Sequence, residues 1–138
     1  MIAYVDSSVV LRLVLGQPGA LPEWRSVEEG ITSALTEVEC LRTLDRLRIL
    51  EGIPDQALAE RRESVYQLLG TLAVMEIGRT VLDRAAQPLP TALGTLDAIH
   101  LATAQIWRET TSTTLTMATH DASLATAARA LGMPIVGV

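Results

Sequence analysis

Four carboxylates stand where this chain changes direction. Asp6 ends the short apolar run IAYV, and Glu39 lies in TEVEC. Asp97 opens the helix-like stretch TLDAIHLATA, and Asp121 follows the apolar run TTLTMAT. Oxygen ligands with no lysine and only one cysteine among them suit a hard divalent ion, Mg2+ or Mn2+. Such an ion assists phosphodiester hydrolysis by acidifying water, aligning it with the leaving oxygen and offsetting charge on the phosphate.

Each acid also has a structural role open to it. Asp121 ahead of an alanine-rich helix can serve as its cap, and Asp97 in a first helical turn meets the positive end of the dipole. Glu39 by itself reads as a solvated helix residue. Asp6 is harder to explain that way, because a carboxylate ending a buried strand needs partners or cations to offset its desolvation.

The elements around these acids follow from pattern and punctuation. Residues 2–5 predict a strand, and Ser7 or Ser8 can cap a helix over 9–15 that Gly16 and Pro18 close. A short helical piece over 21–28 and a strand over 31–33 come next. Leu35, Val38, Leu41, Leu44 and Leu47 mark the apolar side of a helix over 35–50, with Glu39 beside that stripe in the register of Thr43 and Arg46. A second long helix runs from Pro54 to Leu69, with AERRE on its wet face. LAVMEI predicts a strand, followed by a helix through Ala86. QPLPTALG is loop, and Thr95 is the expected cap of a helix reaching Arg108. A strand in TTLTMAT, a helix in DASLATAARALG and a strand in PIVGV complete the chain. Short apolar strands alternating with helices predict an α/β layered fold on a mainly parallel sheet. Neither repeats nor linkers divide the 138 residues, so one domain over 1–138 is expected.

Composition sets bounds on function. Hydrophobic residues make up 49% of the chain and Phe is absent, so the core must rest on aliphatic side chains. A single cysteine, Cys40, rules out an internal disulfide and suits a reducing cytoplasm; it is expected to fill core space. The start MIAYVDSS has no basic segment leading a long apolar one, and SSVVLRLVLG is too short to span a bilayer. Sixteen acidic residues outweigh 11 basic ones, all arginine, for a net charge of −5. Bulk electrostatics therefore oppose nucleic-acid binding, unless some carboxylates surround bound cations.

Five stretches, AYVDSSVVLRLV, ITSALTEVECLRTLDR, TLDAIHLATA, TMATHDASLATAARALG and PIVGV, together resemble a PIN domain of the VapC type, the ribonuclease toxins of bacterial toxin–antitoxin pairs. The resemblance spans the chain. It implies a PIN-like three-layer α/β/α sandwich with a central, mainly parallel twisted sheet. It also implies an acidic site of Asp6, Glu39, Asp97 and Asp121 holding Mg2+, with Mn2+ as an alternative, and leaves open whether Glu39 binds the ion or orients water. Ser7 and Thr119 match small hydroxyl positions that support the site. His120 stands where relatives commonly carry an aromatic, and His100 fits packing or hydrogen bonding to the site better than catalysis.

The activity so implied is metal-dependent endonucleolytic cleavage of a structured RNA, a tRNA or rRNA, leaving a 5′-phosphate and a 3′-hydroxyl. The implied partners are a second copy of the chain, in a homodimer, and a cognate antitoxin that lays a peptide across the acidic groove. Arg12, Arg42 and Arg46 are candidates for RNA or antitoxin contact, since a guanidinium binds two phosphate oxygens; Arg61 and Arg62 suit local pairing. Two other readings fit the acids: a catalytically weak PIN-like binding module, and a metal-dependent DNA nuclease or phosphatase. A receiver domain would need a late lysine, and a dinucleotide-binding unit a glycine-rich turn after the first strand; the sequence has neither.

Overall fold

The computed structural model describes all residues from Met1 to Val138. Strand β1 (Ile2–Val5) leads directly into helix α1 (Ser7–Leu15), and a 3-10 turn at Pro22–Ser26 precedes β2 (Glu29–Ser33). Helices α2 (Ala34–Glu51) and α3 (Asp55–Leu69) follow, then β3 (Ala73–Met75) and α4 (Arg79–Ala85). Helix α5 (Thr95–Thr111), β4 (Thr116–Ala118), α6 (Ala122–Ala130) and β5 (Ile135–Val136) complete the chain.

The five strands lie in the order β3-β2-β1-β4-β5, and every neighbouring pair is parallel. The mainly parallel sheet expected from the sequence is thus wholly parallel, and its two faces carry separate cores. Ala3, Val5 and Ala118 join Val9, Val10, Cys40, Leu44, Val65 and Leu69 on the side of α1, α2 and α3. Tyr4, Ile31 and Met117 join Leu101, Ala104, Leu124, Ala127 and Ala128 on the side of α5 and α6, and α4 packs on α5. The alternation of Ala3, Tyr4 and Val5 between the two faces is the period of a strand buried on both sides. The result is the α/β/α sandwich.

Placement of the site follows from this order. From β1 the chain moves outward to β2 and β3, then returns to pair β4 on the other side of β1. The carboxyl ends of β1 and β4 therefore flank the switch point, where ligands gather in open α/β sheets.

Two local expectations change. The buried residues of α2 are Thr36, Cys40 and Leu44, whereas Val38, from the expected leucine stripe, is 57% exposed. A threefold spacing loses about 60° per step on a helix of 3.6 residues per turn, so five such residues wind round the helix, while a fourfold one stays closer to one face. The caps also differ. Asp6, not Ser7 or Ser8, caps α1, and Gly94, not Thr95, occupies the cap position of α5. Asp6 takes the role because its carboxylate accepts the backbone N–H groups of both Ser8 and Val9.

Candidate active site

Asp6 is nearly closed to solvent, at 3% exposure, and is held by four hydrogen bonds. Its Oδ1 accepts Ser8 N–H at 3.1 Å, Ser8 Oγ–H at 2.6 Å and Val9 N–H at 3.3 Å. Its Oδ2 accepts Thr119 Oγ1–H at 2.7 Å. Both hydroxyls also accept a backbone N–H from the turn after β4: Ser8 Oγ takes that of His120 at 2.9 Å, and Thr119 Oγ1 that of Asp121 at 3.0 Å. Two O–H groups thus tie the end of β1 to the turn leading into α6. Ser7 begins α1 and its hydroxyl has no such bond; sequence reasoning singled out Ser7 and missed Ser8, although a hydroxyl two residues after a strand-ending acid is well placed to reach it.

Burial raises the Asp6 pKa above the ordinary carboxylate value, while its hydrogen bonds from Ser8 and Thr119 and the nearby His100 oppose the rise. With three donors on Oδ1 and one on Oδ2, a lone pair of Oδ2 is left for another ligand.

Asp121 caps α6 by accepting Leu124 N–H on Oδ1 at 2.8 Å, so the capping role expected of it is real. Capping uses one oxygen and leaves the other. Asp97 lies in the first turn of α5, partly buried, and its carboxylate takes part in no hydrogen bond or ion pair within the chain. Its pKa is raised by burial first and then by the charge of Asp121, with smaller contributions from Asp6 and Glu39 against a lowering by His100. Asp97 is therefore within electrostatic reach of all three other acids. The charges of Asp6, Glu39 and Asp121, scattered across the sequence, all act on Asp97, and Asp6 and Asp121 lie in the turns that leave β1 and β4.

Glu39 reaches this rim from the opposite helical layer. His100 on α5 spans the gap: its Nε2 lies 2.5 Å from Glu39 Oε1, and its Nδ1 lies 2.8 Å from the hydroxyl of Tyr4. Tyr4 and His100 also meet edge to face, with ring centroids 5.9 Å apart at 71°. Both are buried, and burial together with the Asp6 charge keeps the phenol pKa well above its usual range. Tyr4 had no sequence signal beyond its place in a strand facing a helix.

Beyond Glu39 the rim opens into a groove of about 360 Å³ lined by Leu35, Val38, Glu39, Arg42, Thr43, Arg46 and Leu96. The expected shared register of Glu39, Thr43 and Arg46 appears here as one wall. Arg42 is engaged by Asp45 at 3.1 Å, while Arg46 has no ion-pair partner. Arg12 lies further along α1, where its guanidinium reaches the Gly19 carbonyl at 3.5 Å in the loop after that helix. Arg62 bonds the Tyr66 hydroxyl on its own helix.

Two more residues brace the turn. His120 Nδ1–H donates to the Gly137 carbonyl at 2.7 Å. Gly137 has φ +103°, and a Cβ there would lie 2.4 Å from the Thr119 carbonyl oxygen, so glycine alone lets the chain end approach the site this closely. Cys40 is fully buried, with its thiol pushed up to about 12 chiefly by that burial; it is a core residue and no nucleophile.

The donor set fits a hard divalent cation: carboxylates from four elements, no ion pair to Asp97, and a free lone pair on Asp6. No group of three or more acidic, histidine or cysteine side chains has closed to ion-ligating distances. The fit lies in the chemistry of the donors.

A wholly parallel sandwich with acids at its switch point defines a class that comparison identifies. The chain belongs to the PIN-domain family, whose model matches residues 3–130. Its curated relatives are VapC-type members: it is 36% identical to Ribonuclease VapC35 of Mycobacterium tuberculosis, over 96% of this chain and 94% of the relative. Among solved structures, FitAB bound to an IR36 DNA fragment aligns with TM-score 0.71 at 18% identity, covering 98% of this chain and 93% of that one. A toxin–antitoxin complex from Klebsiella pneumoniae aligns with TM-score 0.65 at 20% identity, covering 89% and 90%. No helix is long and apolar enough to cross a membrane.

Proposed function

We propose that this protein is a metal-dependent endoribonuclease toxin acting on structured cellular RNA, a tRNA or rRNA, and neutralised by a cognate antitoxin. The observation that carries the reading is Asp97: a partly buried carboxylate without a hydrogen bond, whose pKa is raised by burial and by the charges of Asp121, Asp6 and Glu39. Asp6, Asp97 and Asp121 hold Mg2+ or Mn2+, with Glu39 beside them. Bound there, the ion supplies Lewis acidity toward water and a counter-charge for the phosphate.

The chain's own residues perform the rest. Ser8 and Thr119 fix Asp6 and leave one lone pair of its Oδ2 free. Asp121 keeps one oxygen on the α6 cap, which fixes where the other can go. Arg46, unpaired on the groove wall, offers its fork to an RNA phosphate, and Arg42 joins it by leaving Asp45, which keeps Arg48 as its partner. An acidic protein needs such local cations to approach RNA at all. The name of the VapC35 relative supports the ribonuclease reading, and the complex from Klebsiella pneumoniae supports an antitoxin partner. Association of two copies into a homodimer is part of the same reading and is tested by sedimentation.

Incubating the purified protein with total cellular RNA, and mapping 5′ ends with Mg2+ present or chelated, tests the activity. Discrete cuts that vanish with the chelator and in Asp6→Asn support it. Cuts indifferent to both overturn it.

A further inference from the structure

We propose that His100 is a positioning residue which, locked by Tyr4, donates a hydrogen bond that aims Glu39 at the acidic rim, and that it does not act as a base. The inference rests on the nuclease reading for its consequence, though not for its geometry.

Hydrogen-bond accounting leads to it. An ionised carboxylate only accepts, so the 2.5 Å contact requires a hydrogen on His100 Nε2. In the neutral ring Nδ1 then holds the one lone pair, and the Tyr4 hydroxyl, 2.8 Å away, donates to it. In the charged ring both nitrogens donate and the Tyr4 oxygen accepts. Nε2–H faces Glu39 in both forms, and in neither does the ring keep a lone pair for a water proton. At 1% exposure the ring is also closed to solvent.

Glu39 needs this support. It projects from α2 on one side of the sheet, while Asp97 comes from α5 on the other. The His100 bond, linking residues 61 apart, joins those layers directly. Glu39 keeps 20% side-chain exposure and borders the groove of Arg42 and Arg46. A flexible glutamate in that position sweeps several rotamers unless something holds it. With Oε1 held, Oε2 is directed, so Glu39 serves the site through one oriented oxygen.

The test uses the full-length protein, its His100→Leu, His100→Gln, Tyr4→Phe and Glu39→Gln variants, and single-turnover cleavage of RNA in Mg2+. Loss of a bond orienting a site carboxylate lowers kcat by roughly 10- to 100-fold. His100→Leu should do so with KM for RNA unchanged. His100→Gln, whose amide can still donate to Glu39, should recover part of the rate. In the Glu39→Gln background His100→Leu should add little, because the two act as one unit. Full additivity, or wild-type kcat in His100→Leu, overturns the proposal.

A second readout needs no activity. The chain has two histidines, so imidazole 15N shifts of metal-free protein are readily assigned by comparison with His100→Gln. With the ring neutral, His100 should show a protonated Nε2 and a bare Nδ1; Tyr4→Phe should keep that tautomer, whereas Glu39→Gln, whose amide can donate as well as accept, should mix the two. A protonated Nδ1 in the wild type overturns the proposal. If the wild type cleaves no RNA, the nuclease reading fails while these shifts still decide the geometry.

Discussion

Thr119 Oγ1 donates to Asp6 Oδ2 at 2.7 Å although 113 residues separate the two. The same oxygen accepts the Asp121 N–H, so one buried hydroxyl sets the spacing of two acids from different strand ends. Ser8 makes the matching link from α1 to His120. The site is held by hydroxyls before any ion enters.

Thr119→Val preserves shape while removing both bonds. It leaves Asp6 Oδ2 and the Asp121 N–H short of partners, at a cost of about 1–3 kcal/mol. Urea denaturation should show that loss as a lower midpoint at unchanged slope, and RNA cleavage should fall. Thr119→Ser keeps the hydroxyl and should restore most of both.

Asp121 serves two purposes that substitution separates. Asp121→Ala removes the cap on α6 and the carboxylate together, and should cost about 1 kcal/mol of stability along with cleavage. Asp121→Ser keeps an oxygen that can cap Leu124 N–H. It should melt close to the wild type and still fail to cleave. A fully active Asp121→Ser would reduce this residue to its structural role.

The raised pKa of Asp97 makes a signed prediction about pH. Its folded value lies above its unfolded one, so near neutrality the folded state carries a charge it disfavours. As pH falls through the folded value, the native chain takes up a proton that the unfolded chain does not yet bind, and stability is gained. Metal-free Asp97→Asn should therefore melt above the wild type at pH 7. The gap should close toward about pH 4, where the unfolded carboxyl also protonates. Added Mg2+ should reverse the order at pH 7, because only the wild type gains from binding.

Much of this was legible in the sequence. Aliphatic runs between helices gave the layered α/β fold and its parallel sheet, because strands buried on both faces cannot alternate with polar residues, while the three-layer sandwich came with the PIN resemblance. The rim positions of Asp6 and Asp121 followed from their places after strands. Pairings across layers were hidden. Nothing in spacing tells that Tyr4 and His100 meet, because that depends on which face of β1 turns toward α5. The choice of Ser8 over Ser7 rests on the direction the first turn of α1 takes from Asp6, and the leucine stripe of α2 misled because threefold spacing mimics a face it does not follow.

Titrating metal-free protein with Mn2+ and counting free ion by electron paramagnetic resonance addresses the acidic rim most directly. The wild type should bind Mn2+, Mg2+ should compete for the same site, and Asp6→Asn and Asp97→Asn should each lose that binding while staying folded. Binding of equal strength in wild type and Asp97→Asn would contradict the account.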